Sequence, residues 1–164
     1  KKILAICWGL QVCSTAAGGK VNPGKNGAHI GIASDVTINN EGQKHFIYKD
    51  KKNIFTSPAF NFDEVSELPE YATLLSSDKV NNVMGVSFSV GNSEIIGLQY
   101  HPDYEYFQML NLIAGRKERL FKNKYFSNEE EYQKHISYIK SENELLNFYD
   151  RTCEVRNWLN YLKN

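Results

Sequence analysis

KILAICWGLQ, at residues 2–11, is the stretch that decides the fold. Its first half, Lys2–Ile6, is a short apolar run, which predicts a buried strand of a parallel sheet that is covered on both faces. The apolar spacing from Trp8 to Ala17 predicts a helix. Cys7 is therefore expected at the point where a strand turns directly into a helix.

A cysteine at such a turn has the placement of a nucleophile. The sharp bend holds the side chain away from the backbone and exposes it above the sheet. A helix that begins at Trp8 would direct the positive end of its dipole at the Cys7 sulfur and favour the thiolate. The backbone N–H of Trp8 is a candidate donor to an oxyanion, and Gly9 is expected to let the turn close tightly near a substrate.

A second stretch, GLQYHPD at residues 97–103, supplies a base. Strand alternation predicts a hairpin of residues 83–90 with residues 94–100, and Pro102 ends the sheet pairing. An imidazole and a carboxylate follow at His101 and Asp103. Together with Cys7 they form a candidate set of nucleophile, base and orienting carboxylate.

The remaining chain indicates an α/β protein with an inserted meander. Residues 33–39 alternate as a half-buried strand should, and His45–Tyr48 is a further strand candidate. Residues after Asp103 have helical spacing, and the sequence SNEE at residues 127–130 has the form of a capping box. The order is a strand, a helix, several strands that pair in antiparallel fashion, and then helices.

Composition excludes several classes of function. The 164 residues suit one domain, and the 19 basic and 19 acidic residues balance, so nothing indicates a nucleic-acid or membrane partner. Three widely spaced cysteines form neither a disulfide framework nor a zinc motif, so we predict no metal, no cofactor and a reducing, cytoplasmic setting. The cysteines and histidines outside the two stretches are expected in core, structural or surface positions: Cys13, Cys153, His29, His45 and His135.

The two stretches resemble the motifs of one enzyme family. Residues 7–11, CWGLQ, resemble the G-x-C-x-G-x-Q elbow of class I glutamine amidotransferases, and residues 97–103 resemble their G-x-Q-[FY]-H-P-E motif. Residues 16–21 are similar to the family's A-x-G-G-x-V. Residues 63–69 resemble the D-x-V-x-x-L-P stretch of the stand-alone, GMP synthase-like branch.

The resemblance implies a flavodoxin-like fold with three layers and a mostly parallel sheet that carries an antiparallel meander. Residues 1–118 would be the C-terminal portion of the amidotransferase domain, and residues 119–164 a helical extension packed on it. Family domains place several strands and helices before the elbow, so the resemblance implies a missing N-terminal segment. That segment would supply a second oxyanion donor.

The resemblance also implies an activity. Cys7 would attack the side-chain amide carbon of glutamine and form a γ-glutamyl thioester, His101 would transfer the protons, and Asp103 would orient His101. The ammonia would pass to a synthetase partner, because the sequence holds no ATP-binding loop of its own. The substrate-binding positions that the family motif implies are Trp8, Gly9 and Gln11.

Some positions depart from the family pattern. Asp103 stands where the family has Glu, and its shorter side chain must be brought to His101 by the backbone; Glu105 is the alternative orienting carboxylate. Ala5 replaces the first glycine of the elbow. Asn61 or Phe62 stands near the place where the GMP synthase-like branch often has His.

Two other functions fit the same motifs. A γ-glutamyl hydrolase that acts on a peptide or amine conjugate would use the same elbow and histidine. A catalytically silent relative, kept for a binding or regulatory role, would have the fold without the reaction.

Overall fold

The computed structural model describes residues 1–145 and 147–163. The strands are β1 (Lys2–Ile6), β2 (Lys20–Pro23), β3 (His29–Ile30), β4 (Ala33–Ile38), β5 (Ile54–Ser57), β6 (Phe60–Asn61), β7 (Asp63–Glu67), β8 (Thr73–Ser77), β9 (Gly85–Val90) and β10 (Ser93–Leu98). The α-helices are α1 (Trp8–Ala16), α2 (Asn40–Lys44), α3 (Tyr106–Gly115), α4 (Lys117–Lys122), α5 (Glu129–Leu145), α6 (Phe148–Arg151) and α7 (Cys153–Leu162). In this part of the chain no helix combines the length and the apolar character that a membrane crossing requires.

The central sheet joins six strands in the order β1-β10-β9-β8-β4-β5. β1 pairs with β10 in parallel, from Lys2 opposite Glu94 to Ile6 opposite Leu98. The other ladders of this sheet are antiparallel. The described sheet is therefore mostly antiparallel, whereas a mostly parallel sheet was expected. Parallel neighbours need a long crossover connection between them. The strands from β5 to β10 follow one another with short connections, which favours antiparallel pairing.

Helix α1 lies on one face of the sheet and positions the elbow. Leu10 is fully buried there in a cluster that includes Ala5, Val86 and Ile95. A Cβ atom on Gly97 would collide with the Leu10 side chain, so glycine at this position in β10 allows α1 to approach the sheet closely. This contact fixes the start of α1, and therefore Cys7, above the parallel pair β1–β10.

Helix α7 covers another buried cluster, in which Trp158 packs with Leu98, Tyr100 and Met84. A third cluster joins helices α3, α4 and α5 through Tyr106, Ile113, Leu120 and Ile139. The α/β class with its meander is confirmed. The predicted domain boundary after residue 118 stays a prediction.

Two local predictions differ from the structure. Residues Phe46–Tyr48 form a 3-10 helix and not a strand, because the His45 ring accepts a hydrogen bond from the N–H of Ile47 (3.3 Å) and tightens the chain. Helix α5 begins at Glu129, where the Asn128 side chain accepts a hydrogen bond from the Glu131 N–H (2.9 Å). The capping residue is thus Asn128, one residue later than Ser127, which the capping-box pattern indicates.

A buried ion pair joins α7 to the segment that precedes β5. The ammonium of Lys51 lies 3.0 Å from the carboxylate of Glu154, and both side chains are almost fully buried. The hydroxyl of Tyr100 donates to the same carboxylate (2.6 Å) and also contacts the hydroxyl of Tyr48 (3.1 Å). Burial, followed by the Glu154 charge, raises the pKa of both tyrosines well above the usual range, so both keep their protons.

We expect Lys51→Met to lower the free energy of unfolding by about 3 kcal/mol, because it leaves the Glu154 carboxylate buried without its counter-ion. Urea denaturation followed by far-UV circular dichroism measures the change. Lys52→Met, at the exposed neighbouring lysine, is the matched control and should shift the value by less than about 0.5 kcal/mol. Equal losses in the two variants would contradict the account of this ion pair.

Candidate active site

The backbone of Cys7 has the strained geometry of a nucleophile elbow. Its φ of 51° and ψ of −107° are unusual for a residue with a side chain. Its N–H donates to the carbonyl of Leu98 (2.7 Å), and its carbonyl accepts from Gln11 (3.2 Å), so β10 and α1 both hold the bend. Such strain persists only where the surroundings enforce it, and it is common at active sites.

The sulfur of Cys7 is half-buried among polar groups. The side-chain amide of Gln99 donates to it from 3.6 Å, and the carbonyl of Phe60 lies 3.8 Å from it. The Cys7 side chain is also among the groups that raise the pKa of the His101 imidazole. The structure thus brings the first and second sequence motifs together at this atom.

His101 is held from several directions. Its backbone N–H donates to the carbonyl of Pro58 (2.7 Å). Its Nδ1 lies 3.2 Å from a carboxylate oxygen of Asp103, and its ring packs on the ring of Tyr104 with centroids 4.4 Å apart. Only 15% of its side chain is exposed.

Opposing effects set the pKa of His101. Burial is the largest single effect and favours the neutral ring, whereas the interactions with Asp103 and with the Cys7 sulfur favour the charged ring. The favourable interactions together outweigh burial and raise the pKa of His101 to about 9. At neutral pH the ring therefore carries a proton that it can donate beside the sulfur.

The two candidate orienting carboxylates have different surroundings. Asp103 contacts His101, and 40% of its side chain is exposed. Glu105 instead caps the start of α3, where its side chain and that of Gln108 form a capping box, and it pairs with Arg151 at 3.4 Å. Asp103 is therefore the carboxylate in position to orient His101, through a single hydrogen bond between its carboxylate and Nδ1 of the ring.

The three predicted substrate-binding residues lie beside Cys7 in different settings. Trp8 begins α1 and is 75% exposed. A Cβ on Gly9 would make only an ordinary 3.8 Å contact with Ala5, so packing inside the protein does not require glycine there. Gln11 uses its amide N–H groups on the carbonyl of Asp63 (2.9 Å) and on Gln99 (3.3 Å).

Gln99 is a site residue that the sequence interpretation did not assign. It is fully buried, yet its amide links the sulfur of Cys7 to the side chain of Gln11. The signal was its place within the second motif: Gln99 follows the end of β10 at Leu98 directly and precedes His101 by two residues. A buried amide at this place has to find polar partners.

We expect Gln99→Met to slow the alkylation of Cys7 by iodoacetamide at pH 7 by about fivefold, because a donor to the thiolate is lost at nearly constant volume. The rate of adduct formation, followed by mass spectrometry, measures the effect. Gln43→Met, at an exposed glutamine of α2, is the control and should alkylate at the wild-type rate. An unchanged rate in Gln99→Met would show that the amide does not act on the sulfur.

A family model described as "Glutamine amidotransferase class-I" matches residues 1–109, which hold both motifs and all six strands of the central sheet. The chain belongs to this family. The resemblance of residues 7–11 and 97–103 to the motifs of class I glutamine amidotransferases is thereby confirmed, and so is the flavodoxin-like α/β fold class.

Relatives of this amidotransferase-family chain are named for more than one activity. Gamma-glutamyl peptidase 3 of Arabidopsis thaliana is 36% identical over a match that covers 71% of this chain and 48% of that protein. A gamma-glutamyl-L-1-hydroxyisopropylamide hydrolase of a Pseudomonas species is 26% identical over a match that covers 98% of this chain and 60% of that protein. A glutamine-hydrolysing GMP synthase subunit from Methanococcus vannielii is 31% identical over a match that covers 68% of this chain and 55% of that subunit. The chain spans about half to three fifths of the length of these relatives.

Solved structures show the same fold for this member of the amidotransferase family. The crystal structure of a glutamine amidotransferase from Thermotoga maritima superposes with a TM-score of 0.68 at 21% identity. The match covers 97% of this chain and 61% of that one. Over residues 1–145 and 147–163, no group of three or more His, Cys, Asp or Glu side chains is arranged to hold a metal ion.

Proposed function

We propose that this protein hydrolyses the amide bond of a γ-glutamyl group through a thioester on Cys7. The observation that carries the proposal is the strained elbow at Cys7, whose side chain helps to raise the pKa of His101. Nδ1 of the same His101 ring lies 3.2 Å from a carboxylate oxygen of Asp103. This set supplies a nucleophile, an acid and base, and an orienting group.

The proposed reaction has two halves. The Cys7 thiolate attacks the γ-carbonyl carbon, and the N–H of Trp8 stabilises the resulting oxyanion. His101 donates its proton to the leaving amine as the C–N bond breaks, which leaves a γ-glutamyl thioester on Cys7. His101 then takes a proton from water, the water oxygen bonds to the same carbon, and the C–S bond breaks to release glutamate.

Free glutamine is the first candidate substrate, with ammonia passed to a synthetase partner. The family assignment and the likeness to the GMP synthase protein of Methanococcus vannielii support this choice. We also propose a reducing, cytoplasmic setting, because the reaction needs Cys7 as a free thiol and Cys7 forms no disulfide in this structure.

A γ-glutamyl peptide or amine is the second candidate substrate. It is favoured by the likeness to the γ-glutamyl peptidase and to the γ-glutamyl hydroxyisopropylamide hydrolase. Both substrates present the same γ-carbonyl carbon to Cys7, so the chemistry at the sulfur is the same. They differ only in the group that leaves with the proton from His101.

Parallel assays of the intact protein decide between these substrates. One assay measures ammonia from glutamine, and the other measures glutamate from a γ-glutamyl dipeptide and a γ-glutamyl alkylamine. A larger kcat/KM on glutamine supports the glutaminase, and a larger value on the conjugates supports the hydrolase. If neither is hydrolysed and a glutamine-like diazoketone leaves Cys7 unmodified, the protein is the silent relative and the proposal is wrong.

A further inference from the structure

Arg151, at the end of α6, contacts the loop that follows His101. We propose that Arg151 is a positioning residue that holds this loop, and through it the ring of His101, in place beside Cys7. The catalytic consequence rests on the proposed function, whereas the effect on the His101 ring does not depend on it.

The contacts of Arg151 converge on two adjacent loop residues. Its guanidinium donates to the backbone carbonyl of Tyr104 (2.5 Å) and pairs with the carboxylate of Glu105 (3.4 Å). Only 8% of its side chain is exposed. A planar guanidinium with two acceptors fixes direction as well as distance, which a flexible ammonium at the same position could not do.

Tyr104 connects Arg151 to His101 through its own ring. Its ring packs on the ring of His101 with centroids 4.4 Å apart and planes 32° apart. Its backbone N–H lies 3.5 Å from the carbonyl of His101, so the loop turns back on the residue that it must hold. Fixing the backbone of Tyr104 therefore limits the movement of the His101 ring.

The segment that carries Arg151 is itself anchored next to the base. Three residues further on, Glu154 accepts the hydrogen bond from Tyr100, the residue that directly precedes His101, and pairs with Lys51. Helices α6 and α7 thus contact the chain on both sides of His101. Burying an arginine and a glutamate adds little stability compared with apolar packing, which favours a positioning role for these contacts.

Arg151→Lys tests the proposal in the intact protein, with Arg156→Lys as the matched control. Arg156 lies on α7, where its guanidinium lies 3.4 Å from the centre of the Tyr149 ring and donates to the Tyr149 carbonyl (3.0 Å). Two readouts are taken: steady-state kinetics on the better γ-glutamyl substrate, and the titration of His101 by NMR without substrate. Cys7, Asp103 and Tyr104 face this ring and stay unchanged in both variants.

We expect Arg151→Lys to lower kcat about tenfold with KM changed less than twofold, because a small misplacement of a catalytic group is costly. The pKa of His101 should fall from about 9 towards its ordinary value of 6.5, because the ring loses alignment with Asp103 and Cys7. Arg156→Lys should change neither.

A lower melting temperature in Arg151→Lys with an unchanged His101 titration and an unchanged kcat would overturn the proposal, since a purely structural arginine would give that result. If the wild-type protein hydrolyses none of the substrates, the proposed function fails. In that case the titration alone decides whether Arg151 positions the ring.

Discussion

Replacing Cys7 by alanine is expected to reduce hydrolysis of the γ-glutamyl amide bond by a factor on the order of 10⁴ or more, because the sulfur that forms the acyl intermediate is gone. The substitution removes one sulfur atom and keeps the elbow between β1 and α1. We therefore expect binding of the substrate to persist. Steady-state ammonia or glutamate release, with the protein concentration raised to detect residual activity, measures the loss.

Cys13→Ala is the matched control for this substitution. Cys13 lies on the same helix α1, is also a partly buried free thiol, and packs against the apolar cluster beneath the helix. It should retain activity within about twofold, because it touches no reacting group. If Cys7→Ala kept substantial activity while Cys13→Ala lost it, the nucleophile would be misassigned.

Replacing His101 by asparagine is the second large effect, with an expected loss on the order of 10³–10⁴ in kcat. Asparagine can neither protonate the leaving amine nor take a proton from water. Asp103→Asn should lose less, because that carboxylate is partly exposed and water can replace part of its interaction with the ring. His45→Asn, at a histidine that caps the 3-10 helix, should leave the activity unchanged.

Because the pKa of His101 is raised in the folded protein, the free energy of unfolding is expected to depend on pH. A group whose pKa is higher in the folded protein stabilises it fully below its ordinary pKa of 6.5, and this contribution is lost as the pH rises through about 9. The free energy of unfolding of the wild type should therefore decline relative to His101→Asn between these values. A constant difference across this range would show that the ring is not held as described.

The elbow could be predicted from the sequence because its signals are local. The apolar run of β1 and the start of α1 at Trp8 were both predicted at the observed positions. The hairpin of β9 and β10 was predicted from strand alternation, and it is also observed. What local patterns do not contain is the approach of Cys7 to His101, which depends on the parallel pairing of β1 with β10 and was inferred from the family motifs.

The features that the sequence did not predict depend on contacts between distant parts of the chain. Arg151 and Glu154 are ordinary charged residues of a helical tail until the fold buries them against residues 100–105. The strand predicted at His45–Tyr48 is wrong because a short apolar run has no period that separates a strand from a 3-10 helix. Gln99 lies within the second motif, but its partner atoms come from α1 and the elbow.

Acyl trapping tests the central claim most directly. The protein is mixed with its best γ-glutamyl substrate and quenched in acid within the first turnovers, and fragmentation mass spectrometry of the peptide that contains Cys7 and Cys13 locates any γ-glutamyl group. We expect this group on Cys7 in the wild type and no acyl group on this peptide in Cys7→Ala. Wild-type turnover with no acyl group on Cys7, or with the group on Cys13, would contradict the account.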